Sequence, residues 1–237
     1  MRDLAAALIL APILLAQGRR VRRTTPKLAE PAGPRSGVAG SGPALRLLIL
    51  GDSSGAGVGA ADQRDALSGQ VVSGLSLHFC VSWTLVARTG ATTASTLAGL
   101  DKIPRRAYDA VILCLGVNDV TGGRRLGLWL VDQGRLFDRL AGGFGAKHLL
   151  VCGLPPMGRF PALPQPLRWY LGRRALAFDT ALETLCAQRA ECVYVKSLQS
   201  LDTNLMASDG FHPGPEVYRL WGAYLAARIA ALISASC

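Results

Sequence analysis

The sequence lacks several features that mark common classes of protein. Its N-terminal apolar stretch, residues 4–16, is shorter than the roughly 20 residues that a membrane-spanning helix needs. Its six cysteines follow no common zinc-binding spacing. Only 18% of its 237 residues are charged and half are apolar, so the chain can bury a sizeable core. A chain of this length with a single linker predicts one globular domain.

The formal charge of +10 raises the question of a nucleic-acid partner, and aromatic residues that would stack on bases are scarce. Seven basic residues precede position 40, where only Asp3 and Glu30 oppose them, so about half of the excess charge belongs to the N-terminal segment. These basic residues are Arg2, Arg19, Arg20, Arg22, Arg23, Lys27 and Arg35. The other arginines are scattered and are not interleaved with aromatic residues that would stack on bases. We therefore expect no nucleic-acid partner.

The N-terminal residues have the composition of a leader followed by a linker. Residues 1–23 combine the apolar stretch with a cluster of arginines, which tends to stay on the cytoplasmic side of a membrane. We interpret them as an uncleaved anchor that associates with a membrane and leaves the domain facing the cytoplasm. A cleaved signal that exports the domain to the periplasm, and a leader without a membrane role, are the alternatives. Residues 24–43 are rich in Pro, Gly, Ser and Thr and predict a linker, which leaves residues 44–237 for the domain.

The cysteines do not identify the cellular compartment. Cys114 and Cys152 lie in apolar runs, where a thiol is usually a small buried side chain. Cys186 and Cys192 could bridge the end of a helix to the next strand in an oxidising compartment. We favour free thiols.

Five short apolar runs alternate with longer amphipathic segments. They are LRLLIL (45–50), CVSWTLVA (80–87), DAVILCLG (109–116), HLLVCGL (148–154) and CVYV (192–195). Continuous hydrophobicity is typical of parallel strands that are covered on both faces, and apolar residues at helical spacing from about Pro213 mark the last helix. The alternation predicts a doubly wound α/β sheet between layers of helices. In such a sheet the ligand site lies at the carboxyl ends of the strands.

Residues with useful chemistry follow these runs. Ser53, Gly90 and Asn118 come after the first, second and third runs, and Asp209 and His212 lie in the loop before the last helix. A serine hydroxyl needs a base to take its proton, and His212 is the histidine expected at this edge. Asp209, three residues earlier, would orient the imidazole. Backbone N–H groups of Ser53 and Gly90 and the Asn118 amide would donate to the oxyanion of an acyl-transfer intermediate.

These residues lie in four blocks, GDSS, RTGATT, GVND and DGFH. In order and spacing the blocks resemble those of the SGNH hydrolase (GDSL esterase/lipase) family, over residues 45–237. The resemblance is to the small bacterial thioesterase and lysophospholipase type. It implies a flavodoxin-like, three-layer α/β/α sandwich, here with a five-stranded parallel sheet. It also implies a serine esterase that acts on a small-molecule ester without a metal or other cofactor.

The resemblance assigns a role to each site residue. The implied catalytic triad is Ser53, Asp209 and His212. The implied oxyanion donors are Ser53, Gly90 and Asn118. The implied supporting residues are Asp52 and Gly116.

Two positions depart from the family pattern. Ser54 stands where a leucine commonly follows the nucleophile, and we assign the nucleophile to Ser53 because it directly follows the Gly-Asp pair at the strand end. In the second block Arg88 and Thr89 directly precede Gly90, whereas the family commonly carries an asparagine a few residues before the glycine.

Two other functions remain open. An inactive ligand-binding module on the same fold is one, because a fold does not determine function. A dinucleotide-binding protein is the other, suggested by GAGVGA, although Gly55 comes four residues after the glycine that ends the strand and no ribose-binding acid follows the second strand.

The substrate class is left broad. An acyl or aryl ester fits best, with lysophospholipid, acyl-thioester and acetylated-sugar substrates as alternatives. The loop after the fourth strand offers apolar side chains that would either contact an acyl group or pack the loop on the sheet. They are Met157, Phe160, Leu163, Leu167 and Trp169.

Overall fold

The structure is a computed structural model, which describes residues 2–197 and 202–235, so the predicted end of the domain at residue 237 lies outside the described residues. The described residues form eight α-helices and six strands. The helices are α1 (Arg2–Thr24), α2 (Ser53–Ala56), α3 (Leu67–Leu75), α4 (Thr93–Gly99), α5 (Val117–Thr121), α6 (Leu126–Phe144), α7 (Leu167–Ala187) and α8 (Pro215–Ser234). The strands are β1 (Ser36–Ala39), β2 (Ala44–Gly51), β3 (Cys80–Ala87), β4 (Ala110–Cys114), β5 (His148–Cys152) and β6 (Cys192–Val195).

The strands form one sheet in the order β1-β3-β2-β4-β5-β6. The five strands from β2 to β6 are parallel, and Ile49 at the centre of β2 lies opposite Leu85 of β3 and Ile112 of β4. Their order is that of a flavodoxin-like sheet, in which the direction of winding reverses between β2 and β4. The predicted α/β fold is confirmed, and each of the five apolar runs forms a strand.

The sheet also contains a strand that the sequence did not predict, so the expected five strands become six. β1 pairs antiparallel with β3 at the edge of the sheet, with Val38 opposite Ser82. It lies within residues 24–43, which we predicted to be a linker. β1 is only four residues long and its Val38 is 70% exposed, so it shows no buried face that a hydrophobic pattern would reveal. Its backbone pairing alone places it in the sheet.

Helices cover both faces of the sheet. α3 and α8 lie on one face, and α6 and α7 lie on the other. Side chains of β2 alternate between the two cores: Leu48 and Leu50 enter the α6/α7 side, and Leu47 and Ile49 enter the α3/α8 side. All four are completely buried, which is why the run is apolar without alternation.

The N-terminal helix α1 packs on the α6/α7 side of the domain. Leu14 is buried in that core and Val21 packs against it. The Gln17 side chain forms two hydrogen bonds with the domain. Its Nε2 donates to the Gln165 carbonyl in the loop before α7 at 2.7 Å, and its Oε1 accepts the N–H of Leu167, the first residue of α7, at 3.0 Å. The residues predicted to be a leader therefore form a helix that contacts the domain through both apolar and polar side chains.

No helix in the described part of the chain combines the length and the apolar character that crossing a membrane requires. Membrane association and the side of the membrane that the domain faces stay predictions from the sequence.

The described cysteines are free thiols. Cys114 and Cys152 are buried on adjacent strands with their Sγ atoms 3.7 Å apart. The neighbouring thiol of Cys186 and burial raise the pKa of Cys192 well above its usual range. A thiol in such surroundings stays protonated at neutral pH and is a weak nucleophile.

Candidate active site

The structure brings the residues predicted for the site together at the carboxyl edge of the sheet. Ser53 follows β2 and Asn118 follows β4, so the two lie on either side of the point where the winding reverses. Gly90 lies in the loop after β3, and His212 lies in the loop before α8. Ligand sites of open α/β sheets occur at this point.

A tight turn presents the Ser53 hydroxyl. β2 ends at Gly51, and α2 begins directly at Ser53 with Asp52 as its N-cap, whose Oδ1 accepts the Ser54 N–H at 3.0 Å. A Cβ atom added at Gly51 would lie 2.9 Å from the Gly55 Cα. The helix can therefore start this close to the strand only because Gly51 has no side chain.

Asp52 is almost completely buried beneath this turn, with 3% of its surface exposed. Burial raises the pKa of Asp52 to about 7, because the N–H groups of Ser54 and Gly55 offset only part of the cost of removing the charge from water. Asp52 thus caps the helix that begins at Ser53, and its supporting role stays a prediction.

His212 lies between Ser53 and Asp209. Its Nε2 is 2.8 Å from the Ser53 Oγ, and its Nδ1 is 2.5 Å from the Asp209 Oδ2. The other oxygen of Asp209 accepts the backbone N–H groups of Phe211 and His212 at 2.9 and 3.0 Å. Burial raises the pKa of Asp209, but these hydrogen bonds outweigh it and leave the pKa below its usual value. An ionised, buried carboxylate thus holds the imidazole with Nε2 toward the serine.

Gly90, in the loop after β3, and Asn118, in α5, lie at the same edge of the sheet as Ser53, and both line one cavity. Gly90 has a φ of 80°, a left-handed backbone conformation that residues other than glycine rarely adopt. The Asn118 Nδ2 donates to the carbonyl of Ala91 at 2.9 Å, which ties the loop after β3 to α5. An amide carries two N–H groups, and this bond uses one of them. Gly116, the predicted supporting residue, is the N-cap of α5.

A buried network holds the same loop and was not predicted from the sequence. Asp119 accepts the backbone N–H of Thr93 at 3.0 Å and its hydroxyl at 3.1 Å, at the start of α4. The Thr93 hydroxyl oxygen accepts in turn from Trp129 at 2.9 Å and from Gln133 at 3.2 Å. Burial raises the pKa of Asp119, and the bonds from Thr93 offset only part of this effect. Its position next to Asn118 was the only signal in the sequence.

Glu30 supports the Gly90 loop from the N-terminal segment. Its Oε1 accepts the backbone N–H of Thr89 at 2.7 Å and the Thr89 hydroxyl at 2.8 Å, while its Oε2 accepts from Arg35 at 2.8 Å. Burial raises the pKa of Glu30, but the bonds from Thr89 and Arg35 outweigh it and lower the pKa below its usual value. Because Glu30 lies in the predicted linker, no spacing in the sequence related it to Gly90.

A cavity of about 720 Å³ opens beside the loop and reaches from Gly90 and Asn118 to α1 and α7. Leu163 and Leu167, two of the five residues proposed as an acyl-contacting wall, line it.

The other three apolar residues of that loop do not line this cavity. Met157 is completely buried in the core, and Phe160 packs edge-to-face on Phe211 with ring centres 5.0 Å apart. Trp169 lines a separate cavity. For Met157 and Phe160, the alternative that they pack the loop on the sheet was therefore correct.

Within residues 2–197 and 202–235, no group of three or more His, Cys, Asp or Glu side chains is placed to hold a metal ion.

Comparison with known proteins adds a family and a fold. Residues 49–220 match the model of the GDSL-like lipase/acylhydrolase family. None of the curated protein sequences compared with this chain is significantly similar to it.

Solved structures share the fold at low identity. The psychrotrophic esterase EstA from Pseudoalteromonas sp. is 16% identical with a TM-score of 0.63, covering 80% of this chain and 98% of EstA. TesA is 23% identical with a TM-score of 0.61, covering 76% of this chain and 97% of TesA. Est24, a carbohydrate acetylesterase from Sinorhizobium meliloti, is 19% identical with a TM-score of 0.60, covering 79% and 99%. At these identities the likeness establishes the fold.

Proposed function

Because the chain belongs to the GDSL-like lipase/acylhydrolase family, whose members are hydrolases acting on esters, we propose that it cleaves carboxylic esters by a serine mechanism. Ser53 is the nucleophile, His212 the general base and acid, and Asp209 the group that orients the imidazole. The observation that carries the proposal is the continuous contact from the Ser53 Oγ through both nitrogens of His212 to the Asp209 carboxylate, at 2.8 and 2.5 Å. This is the arrangement that activates a serine in unrelated hydrolases.

The first half of the reaction transfers the acyl group to the enzyme. The Ser53 Oγ forms a bond to the ester carbonyl carbon while its proton moves to Nε2 of His212, and the carbonyl oxygen becomes an oxyanion. Asp209 stabilises the imidazolium that results. The bond from carbon to the alcohol oxygen then breaks, and His212 returns the proton to the departing alcohol.

The second half returns the enzyme to its starting state. A water molecule gives a proton to Nε2 of His212 and attacks the carbonyl carbon of the acyl-serine. The bond to the Ser53 Oγ breaks, the carboxylic acid leaves, and the serine regains its proton from the imidazolium.

Three donors stabilise the oxyanion in this proposal. They are the backbone N–H groups of Ser53 and Gly90 and the second N–H of the Asn118 amide. Each such donor typically contributes about 3–4 kcal/mol to stabilisation of the transition state. The contacts of Glu30 with Thr89 and of Asp119 with Thr93 support this assignment, because they fix the loop that carries Gly90.

The substrate within this class is a carboxylic ester with an acyl or aryl group. The names of the structural neighbours span an esterase and a carbohydrate acetylesterase, so they do not select one ester for this chain. Assays with an acyl thioester, a lysophospholipid and an acetylated sugar beside the p-nitrophenyl esters test the remaining alternatives.

Hydrolysis of p-nitrophenyl butyrate by the full chain tests the proposal. We expect Ser53→Ala to lower kcat by at least about 10⁴-fold. Ser54→Ala is the matched control, because it removes an identical hydroxyl from the next residue while keeping the backbone N–H that Asp52 caps; it should retain wild-type kcat within about threefold. Equal rates for the wild type and Ser53→Ala would reject the serine mechanism, and equal rates at the uncatalysed background would favour an inactive binding module.

A further inference from the structure

One face of α1 borders the cavity beside the Gly90 loop. The α1 residues that line the cavity are Ala11, Leu14, Leu15, Gly18, Val21 and Arg22. They recur at intervals of three and four residues, so they lie along one side of the helix. The packing of Leu14 and the hydrogen bonds of Gln17 hold this side against the domain.

The opposite wall of the cavity is largely apolar, although Tyr170 of α7 and Arg174, which donates to the Arg124 carbonyl at 2.7 Å, also line it. Leu163, Leu167 and Leu171 line it from the loop before α7 and from α7 itself. Among the described residues, no aspartate or glutamate lines this cavity. Its volume of about 720 Å³ falls within the range of roughly 300–1,000 Å³ that is usual for small-molecule sites. Such surroundings favour a hydrocarbon chain.

The position of the cavity distinguishes the two halves of an ester. Gly90 and Asn118 form its end at the site, together with Phe211. If the carbonyl oxygen accepts from Gly90 and Asn118, the carbon chain on the same carbonyl carbon continues into the cavity. The alcohol leaves beside His212, which does not line the cavity.

We propose that this cavity binds the acyl chain of the ester and that the inner face of α1 is one of its walls, so that α1 determines the acyl-chain length that the enzyme accepts. The proposal rests on the proposed esterase function. It gives the N-terminal helix, whose composition suggests a leader, a part in substrate selection.

Adding bulk to α1 within the full chain tests the proposal. A Cβ atom at Gly18 would have the Arg22 Nη2 at 3.9 Å as its nearest neighbour, so Gly18→Leu fits and extends into the cavity. Replacing a helical glycine by leucine also favours the helix. Ala11→Leu, two turns earlier on the same face, is a second variant should the first not fold. Ala16→Leu adds the same side chain at an exposed α1 position that does not line the cavity.

The measured quantity is the ratio of kcat/KM for p-nitrophenyl decanoate to that for p-nitrophenyl acetate, with melting temperatures to verify folding. We expect Gly18→Leu and Ala11→Leu each to lower this ratio at least about tenfold, because one methylene in an apolar pocket changes discrimination by roughly 10- to 200-fold. Ala16→Leu should keep the wild-type ratio, and hexyl and ethyl acetate should be hydrolysed in the same proportion by all variants.

Two results would overturn the proposal. One is an unchanged decanoate-to-acetate ratio in folded Gly18→Leu and Ala11→Leu, and the other is a change in the hexyl-to-ethyl acetate ratio instead, which would assign the cavity to the alcohol. A wild-type chain that hydrolyses none of these esters would reject the proposed function itself, and with it this inference. That result is distinguishable from the other two because both of them require activity.

Discussion

The carboxylate of Glu30 accepts two hydrogen bonds from Thr89, one from its backbone N–H and one from its hydroxyl, at 2.7 and 2.8 Å. Thr89 directly precedes Gly90, whose backbone N–H is a proposed oxyanion donor. A residue from the segment before β1 thus fixes the loop that carries Gly90.

Removing this support should slow the chemical step more than it weakens binding. We expect Glu30→Ala to lower kcat about tenfold with KM within about twofold, because a misplaced donor stabilises the transition state less. Glu30→Gln keeps an oxygen that accepts both bonds and should restore most of the activity. Asp138→Ala, which removes an α6 carboxylate that pairs with Arg189, is the matched control and should act like the wild type. Equal kcat for Glu30→Ala and the control would remove Glu30 from the site.

Loss of the Asn118 amide should lower turnover more strongly. We expect Asn118→Ala to reduce kcat about 10²-fold or more with p-nitrophenyl butyrate, as for other lost oxyanion donors. Asn204→Ala, at an exposed position, should leave kcat unchanged. Unaltered kinetics for a folded Asn118→Ala would exclude this side chain from the oxyanion site.

The charge on Asp209 should matter as much as its position. Asp209→Asn removes the negative charge that stabilises the imidazolium. The asparagine also no longer holds the His212 ring in the tautomer that carries its proton on Nδ1. We expect kcat to fall by about 10²- to 10⁴-fold with little change in KM. Asp202→Asn removes a carboxylate that caps an exposed turn a few residues earlier and serves as control. Similar kcat values for the two variants would contradict the assigned role.

Asp52 should make stability depend on pH. Its pKa is raised from 3.8 to about 7 in the folded chain, so the folded state binds the proton more tightly and stability falls as pH rises through that window. Asparagine can cap α2 without a charge. The melting temperature of Asp52→Asn minus that of the wild type should therefore increase by at least about 3 °C between pH 4 and pH 8. For a domain of this size that corresponds to about 1 kcal/mol in the free energy of unfolding. Asp65→Asn, at an exposed position, is the control. A difference between Asp52→Asn and wild type that is constant with pH would contradict the burial of a charge at Asp52.

The sequence predicted those parts of the molecule that depend on local pattern. β2 is apolar on both faces because Leu47 and Leu48 enter opposite cores, and this produces a run that is easy to recognise. The order of the blocks then predicted which loops meet, since parallel strands bring their carboxyl ends to one edge. The glycines of GAGVGA, which also suggested a dinucleotide site, lie at the end of α2 and in the turn after it.

What the sequence did not reveal depends on single contacts between distant segments. β1 is held by backbone pairing with β3, which leaves no hydrophobic pattern. Glu30 and Thr89 are far apart in the chain, and a carboxylate in a Pro- and Gly-rich segment usually faces solvent. The packing of α1 on the domain was not predicted either, because hydrophobicity alone does not distinguish a helix that packs on its own domain from one that enters a membrane.

Covalent labelling with a fluorophosphonate followed by peptide mass spectrometry tests the central claim most directly, because the reagent reacts with activated serines. The account predicts one adduct, on Ser53, that is present in Ser54→Ala and absent in Ser53→Ala. Its formation should slow in Asp209→Asn in step with kcat. An adduct on Ser54 would contradict the proposed mechanism. So would an active chain in which the reagent abolishes ester hydrolysis while Ser53 carries no adduct.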